Sequence, residues 1–366
     1  MCENHTDGAA SVFKDSICTT PGLDTLWSLS FAALTAFPLP PLGEVRVIRA
    51  QCVHWALIGI AALPYSARAH SGRAPEPHDL WHAWTVSPTV FIGLVIALWL
   101  YARGLGTFSR ERGSRRVVGA WRVASFAGGV MVVAIALLSP LDAVSAALFS
   151  AHMIQHMLLI VVAAPLLLLG HPERVMLWAL DIDARRRVGL AWRHAHTMRA
   201  VWHWLRRPLV AWLLHVITLW LWHVPALYDA AFRDERIHVA EHASFFLSAL
   251  LFWSLLIERQ PRYRLGAGVG ALYLFAAALQ CTLLGALIAV AHRPWYVVHY
   301  GTTTPWGLTP LEDQQIAGLI MWIPASLAYL VALIPTVLPA LRSPTPPTYR
   351  CSASPTIAGV SVRGTP

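Results

Sequence analysis

The sequence predicts an all-α integral membrane protein with seven transmembrane helices after a cleaved signal peptide. Three observations carry this expectation. The 366-residue chain is 56% hydrophobic and only 13% charged, with mean hydropathy +0.53, which is too apolar for a soluble domain of this length. Seven apolar runs can each cross a hydrocarbon core of about 30 Å as a helix. The net charge of +9 is carried almost entirely by arginines that crowd into alternate loops. That pattern reads as membrane topology rather than nucleic-acid binding.

Taken in order, residues 1–44 look like neither a targeting segment nor a domain. They are read as an over-extended start, with translation beginning near Val45 or Val47. Arg46 and Arg49 precede the apolar run AQCVHWALIGIAALP, and Ala67 and Ala69 follow it. This is the three-part pattern of a signal peptide over 45–69, cleaved after Ala69 so that the mature chain begins at His70. An uncleaved anchor helix is the alternative, although the run is short for a full span. Residues 70–87 form an outer N-terminal segment, and the spans of the 88–338 bundle fall near 88–104, 119–139, 144–170, 208–228, 236–257, 268–291 and 313–338. The segments Arg103 to Arg122, Arg174 to Arg207 and Arg259 to Arg264 hold most of the arginines, so that side is expected in the cytoplasm and the mature N-terminus outside. Trp81, Trp84, Trp220, Trp222, Trp295 and Trp306 fall near the outer boundaries, as an aromatic belt would. The Pro/Ser/Thr-rich stretch 339–366 is expected to be a disordered cytoplasmic tail. The five cysteines have no C-x-x-C pair or framework spacing, which argues against a disulfide scaffold and a thiolate metal site.

This orientation places the intramembrane polar groups at one depth, toward the outside. His152 and His156 lie in the third span, His223 closes the fourth, and His238 and His242 open the fifth. Asp313, Gln314 and Gln315 begin the seventh, with Met321 two turns deeper. Such groups are costly in a bilayer and face the bundle interior or a water-filled cavity. Both histidine pairs are spaced i,i+4, which puts two imidazoles on one helix face with Cβ atoms about 6 Å apart. Met153 and Met157 repeat the spacing one position on, about 100° around the helix. Imidazole suits copper, zinc and iron, whereas thioether selects for Cu(I). A lone intramembrane histidine suits an interhelical hydrogen bond as well as a metal, and His215, deeper and unpaired, is one such residue.

Three functions suit a histidine-lined outer cavity. A metal-handling assembly protein would hold copper and pass it to a client. An intramembrane zinc hydrolase would use HVAEH, His238 to His242, with Glu241 as base, or Ser139 and Asp142 ahead of a histidine pair. A b-type haem protein would take one axial histidine from each of two helices.

At these residues the chain resembles a known family. HMIQHMLL with the following APLLLLG, WHVPALYDAA, HVAEHASFFLSALLFW and DQQIAGLIMWIPA are similar, in order, to motifs of the multi-span CtaG family of cytochrome c oxidase assembly proteins, over roughly Trp81 to Leu338. The resemblance implies a bacterial inner-membrane protein that matures haem–copper oxidase, supplying copper to subunit I from the outer side. Combined with the spacing, it singles out a copper site at His152, His156, His238 and His242, with His223 at its rim and Met153 or Met157 as Cu(I) ligands. Glu241 and Asp313 are expected to orient histidines by accepting N–H protons. Gln314 and Met321 complete the candidate set.

Overall fold

The structure is a computed structural model that describes residues 75–112, 118–257 and 265–342. The expected over-extended start, the signal peptide and all but the first residues of the tail lie outside the described residues. Among the described residues every regular element is a helix. Six helices are long and apolar enough to span a membrane, and a bent pair brings the number to seven if it counts as one span.

The elements are α1 (Pro88–Arg112), α2 (Ala120–Leu138), α3 (Pro140–Ser145), α4 (Phe149–Met157), a π-helical turn (Leu158–Ala163), α5 (Ala164–Leu169), α6 (Pro172–Leu177), α7 (Ile182–His194), α8 (His196–Leu205), α9 (Pro208–Trp222), α10 (Pro225–Arg233), α11 (Glu235–Ile257), α12 (Ala267–Ala289) and α13 (Pro310–Arg342). The third span is the continuous stretch Phe149–Leu169, built from α4, the π turn and α5. It begins later than the expected 144–170. Ahead of it α3 ends at Ser145, and Ser139 caps the start of α3 by accepting from the Leu141 N–H.

The fourth span departs most from expectation. Instead of one helix over 208–228, α9 stops at Trp222 and α10 leaves at 77° to it. Pro225 is the physical cause. It has no N–H for the Leu221 carbonyl, and it holds Val224 extended at φ −67° and ψ 123°. A second proline shapes the third span. A π turn would pair the Ile160 carbonyl with the N–H of residue 165, which is Pro165 and has none. The Trp253 indole of α11 donates to that carbonyl instead, at 2.9 Å.

The third span and α11 are the most buried spans, 67% and 61% inside the protein against 22% for α1. One apolar core gathers α4, α9, α11, α12 and α13 around Phe245 and Phe252. The other joins α1, α2 and α6 around Tyr101 and Phe126, and the third span contributes to both. Outward-facing Phe91, Val95, Leu272, Phe275, Leu327 and Ile334 are exposed in rows along α1, α12 and α13. Water would oppose such rows, and lipid tails accept them.

The α12–α13 contact depends on facing glycines. A Cβ on Gly318 would lie 2.6 Å from the Gly285 carbonyl oxygen, and one on Gly285 would lie 2.8 Å from that of Gly318. Small residues let helix backbones touch in a bilayer, where packing replaces the hydrophobic drive between helices. Gly318→Val is therefore expected to destabilise the bundle by about 1–3 kcal/mol. Equilibrium unfolding in mixed detergent micelles measures this, and an unchanged midpoint would contradict the close-packing account.

Candidate metal centre

The starts of α4 and α11 lie side by side, and each contributes its histidine pair. Ring centroids are 4.3 Å apart for His152–His156 and also for His238–His242. Between the helices they are 5.0 Å apart for His156–His242, 5.5 Å for His152–His242 and 5.7 Å for His152–His238. Glu241 projects into the same space, with one carboxylate oxygen 3.6 Å from His152 Nε2 and 3.7 Å from His156 Nε2. Ligand atoms of His152, His156 and His242 lie within 4.8 Å of one another, as do those of His152, His238 and Glu241.

The two α4 histidines and Glu241 lie deepest. His152, His156 and Glu241 are at most 2% exposed, yet both ring nitrogens of each histidine and both carboxylate oxygens lack a hydrogen-bond partner. Unmet polar atoms in a protein interior cost about 1–3 kcal/mol each. Several of them turned on one point make a site that a cation would satisfy, and imidazole with carboxylate is a donor set for a borderline metal ion. A cleft among α1, α2 and α11, lined by Thr89, Gly93, Asp142, His238 and His242 among others, reaches the group from its α11 side.

The supporting residues hold α4 in place. Leu148, ahead of α4, provides no side-chain cap. Asp313 reaches across from α13 and accepts from the Phe149 N–H at 2.6 Å, the Ser150 N–H at 3.1 Å and the Ser150 hydroxyl. Its carboxylate thus caps the helix that bears His152, instead of orienting a histidine ring as expected. Gln314 also takes a structural part, accepting from the Trp295 N–H at 2.6 Å and donating to the Arg293 carbonyl at 3.4 Å. Met157 and Met321 pack in the main apolar core. Met153 belongs to the same core, and its sulfur lies 3.4 Å from His223 Nε2. His215 bridges Ser248 and Tyr329 across helices, which is the first of the two roles open to a lone intramembrane histidine.

Sequence reasoning missed two supports. The Gln155 side-chain amide donates to the Ala136 carbonyl at 2.7 Å and to Asp142 at 2.8 Å, and Thr85 donates to the other Asp142 oxygen at 2.8 Å. A glutamine between two histidines of an apolar span was the available signal. Burial pushes the Asp142 carboxyl above its ordinary value, while these two donors pull it back. The other support is Tyr228 of α10, 1% exposed, whose ring centroid lies 5.3 Å from that of His152 and whose hydroxyl lies 2.8 Å from His299 Nε2. No periodicity in the sequence marks it, because the bend after α9 brings it there.

Removing the cap is expected to be costly. Asp313→Ala leaves two buried N–H groups without an acceptor and should lower stability by about 2 kcal/mol, with Asp313→Asn recovering part of the loss. Unfolding midpoints of the two variants read this directly, and equality of Asp313→Ala with wild type would refute the capping role.

Among known proteins, no curated sequence and no solved structure matches this chain. A family model does, that of the cytochrome c oxidase caa3 assembly factor (Caa3_CtaG), over residues 99–343. The matched stretch covers more than half of the 366 residues and contains the four clustered histidines, Glu241, His223 and Asp313. The chain belongs to the family of cytochrome c oxidase caa3 assembly factors.

Proposed function

We propose that this assembly factor acts by holding copper at the His152–His156–His238–His242–Glu241 group and delivering it to subunit I of the haem–copper oxidase. The observation that carries the reading is the convergence of unpartnered, buried donors of His152, His156 and Glu241 on one point inside an apolar bundle. In copper transfer the ion is cargo, so the chain's work is to bind, shield and release it. Neutral imidazoles keep the cost of burying an empty site low, and Glu241 supplies negative charge to offset that of the ion. The cleft reaching His238 and His242 offers a lateral route by which a client helix in the same membrane could approach.

The competing mechanisms fit less well. A haem needs an open slot between its axial histidines, whereas these rings pack on one another at 4.3–5.7 Å. For hydrolysis, Ser139 is spent on capping α3 and Asp142 on binding Gln155 and Thr85. Glu241 lies against two histidine rings, so it serves better as a ligand or anchor than as a free base.

In this reading the histidine end of the bundle faces outward, and the end bearing α7 and α8 faces the cytoplasm. The arginines of α7, among them Arg185 paired with Glu111 at 2.6 Å, accord with the positive-inside rule. Tyr300→Cys should react with a membrane-impermeant thiol reagent in intact spheroplasts, and Arg187→Cys only after permeabilisation. The reverse pattern would overturn the orientation.

The function itself is tested by purifying the protein from copper-supplemented cells and measuring metal and haem together. About one equivalent of copper is expected at this group, so the copper content should fall by about that amount in His152→Ala/His156→Ala, together with copper-deficient oxidase in cells relying on that variant. A Soret band, bound zinc without copper, or normal oxidase copper with a folded double variant would refute the proposal.

A further inference from the structure

His223 closes α9 at the bend, and its ring is fixed on both sides. Nδ1 lies 2.7 Å from the Leu219 carbonyl oxygen, an atom that can only accept, so Nδ1 carries the hydrogen. Nε2 of the neutral ring then carries a lone pair. That lone pair faces Met153 Sδ at 3.4 Å, and a thioether has no proton to offer. Two electron-pair donors therefore meet with no hydrogen between them, in a place where His223 is 6% and Met153 0% exposed. A proton on Nε2 would bury a positive charge in the bundle, which is the costlier arrangement.

A soft monovalent cation turns this opposition into coordination, because thioether selects Cu(I) and imidazole accepts it. At lengths like those zinc makes, about 2.0 Å to imidazole nitrogen and about 2.3 Å to sulfur, one ion can touch both atoms across the observed 3.4 Å separation, at an angle of roughly 105°. The ring of Phe245 neighbours both groups, its centroid 4.5 Å from that of His156 and 6.2 Å from that of His223. Met153 follows His152 directly on α4, so the two donor groups share a helix.

We propose that His223 Nε2 and Met153 Sδ form a second, Cu(I)-selective site beside the histidine–glutamate group. The proposal rests on the copper-handling reading for its natural cargo, while its ligand chemistry is testable alone. The larger group accepts borderline divalent ions as well as copper, and the nitrogen–sulfur pair discriminates against them. A cargo passing this pair travels as Cu(I).

The test is anaerobic Cu(I) titration of the full chain in detergent, with X-ray absorption at the copper edge. Wild type is compared with Met153→Leu, His223→Asn and His152→Ala/His156→Ala. Met153→Leu conserves volume, and its melting midpoint confirms that it is folded. A sulfur shell in wild type is expected, lost with about one equivalent of copper in Met153→Leu and His223→Asn, retained in the double variant, with Zn(II) uptake by Met153→Leu unchanged. Nitrogen-only copper that disappears in the double variant would overturn this site and leave the histidine centre standing. Sulfur-ligated copper that survives there would uphold this site, and copper binding to neither would overturn both.

Discussion

The Asp313 carboxylate at the start of α4 is the contact on which the rest of the centre depends. A helix that begins inside a membrane protein leaves its first N–H groups without carbonyl partners, and no water is at hand to take them. Phe149 and Ser150 present those groups, and α13 answers them with one acidic side chain. The cap fixes where α4 starts and so where His152, one turn further along, comes to rest. Because Asp313 lies five residues before Gly318, the close α12–α13 contact and the placement of the histidines belong to one mechanical unit.

The same rule, that buried polar groups must be met from within, accounts for the two irregularities of the bundle. Pro165 leaves the Ile160 carbonyl open, and Trp253 fills it, tying the third span to α11 just beyond the histidines. Pro225 breaks the fourth span, leaving His223 at its end. The freed His223 carbonyl is taken by the Tyr296 hydroxyl at 3.0 Å. In both places a proline forbids the regular helix, and a side chain from another element repairs the loss. His152, His156 and Glu241 differ from these repaired groups in that several buried atoms without a hydrogen-bond partner turn on one point, and the proposed function rests on that convergence.

The membrane class, the places of most spans and the identity of the clustered histidines were legible in the sequence. Hydrophobic length and arginine spacing are one-dimensional properties, and an i,i+4 pair carries its geometry with it. α11 was expected at 236–257 and runs Glu235–Ile257, because nothing in that stretch interrupts a helix. The third and fourth spans were less legible. Pro165 and Pro225 could be seen, but not whether each would produce a π turn, a kink or a break.

The tertiary structure alone decided which polar residues meet. Glu241 and Asp313 look alike as acids near the ends of apolar spans, yet one enters the histidine group and the other caps a helix. That division depends on which helix faces which, and sequence spacing is silent on it. Tyr228 reaches the centre through a 77° bend, and Gln155 braces α4 against α2 and Asp142, for the same reason. The sequence determined by itself that this chain would bury histidines in a membrane, since helix period and hydropathy act locally. Their gathering around one point was decided by helix packing, which joins residues more than eighty positions apart.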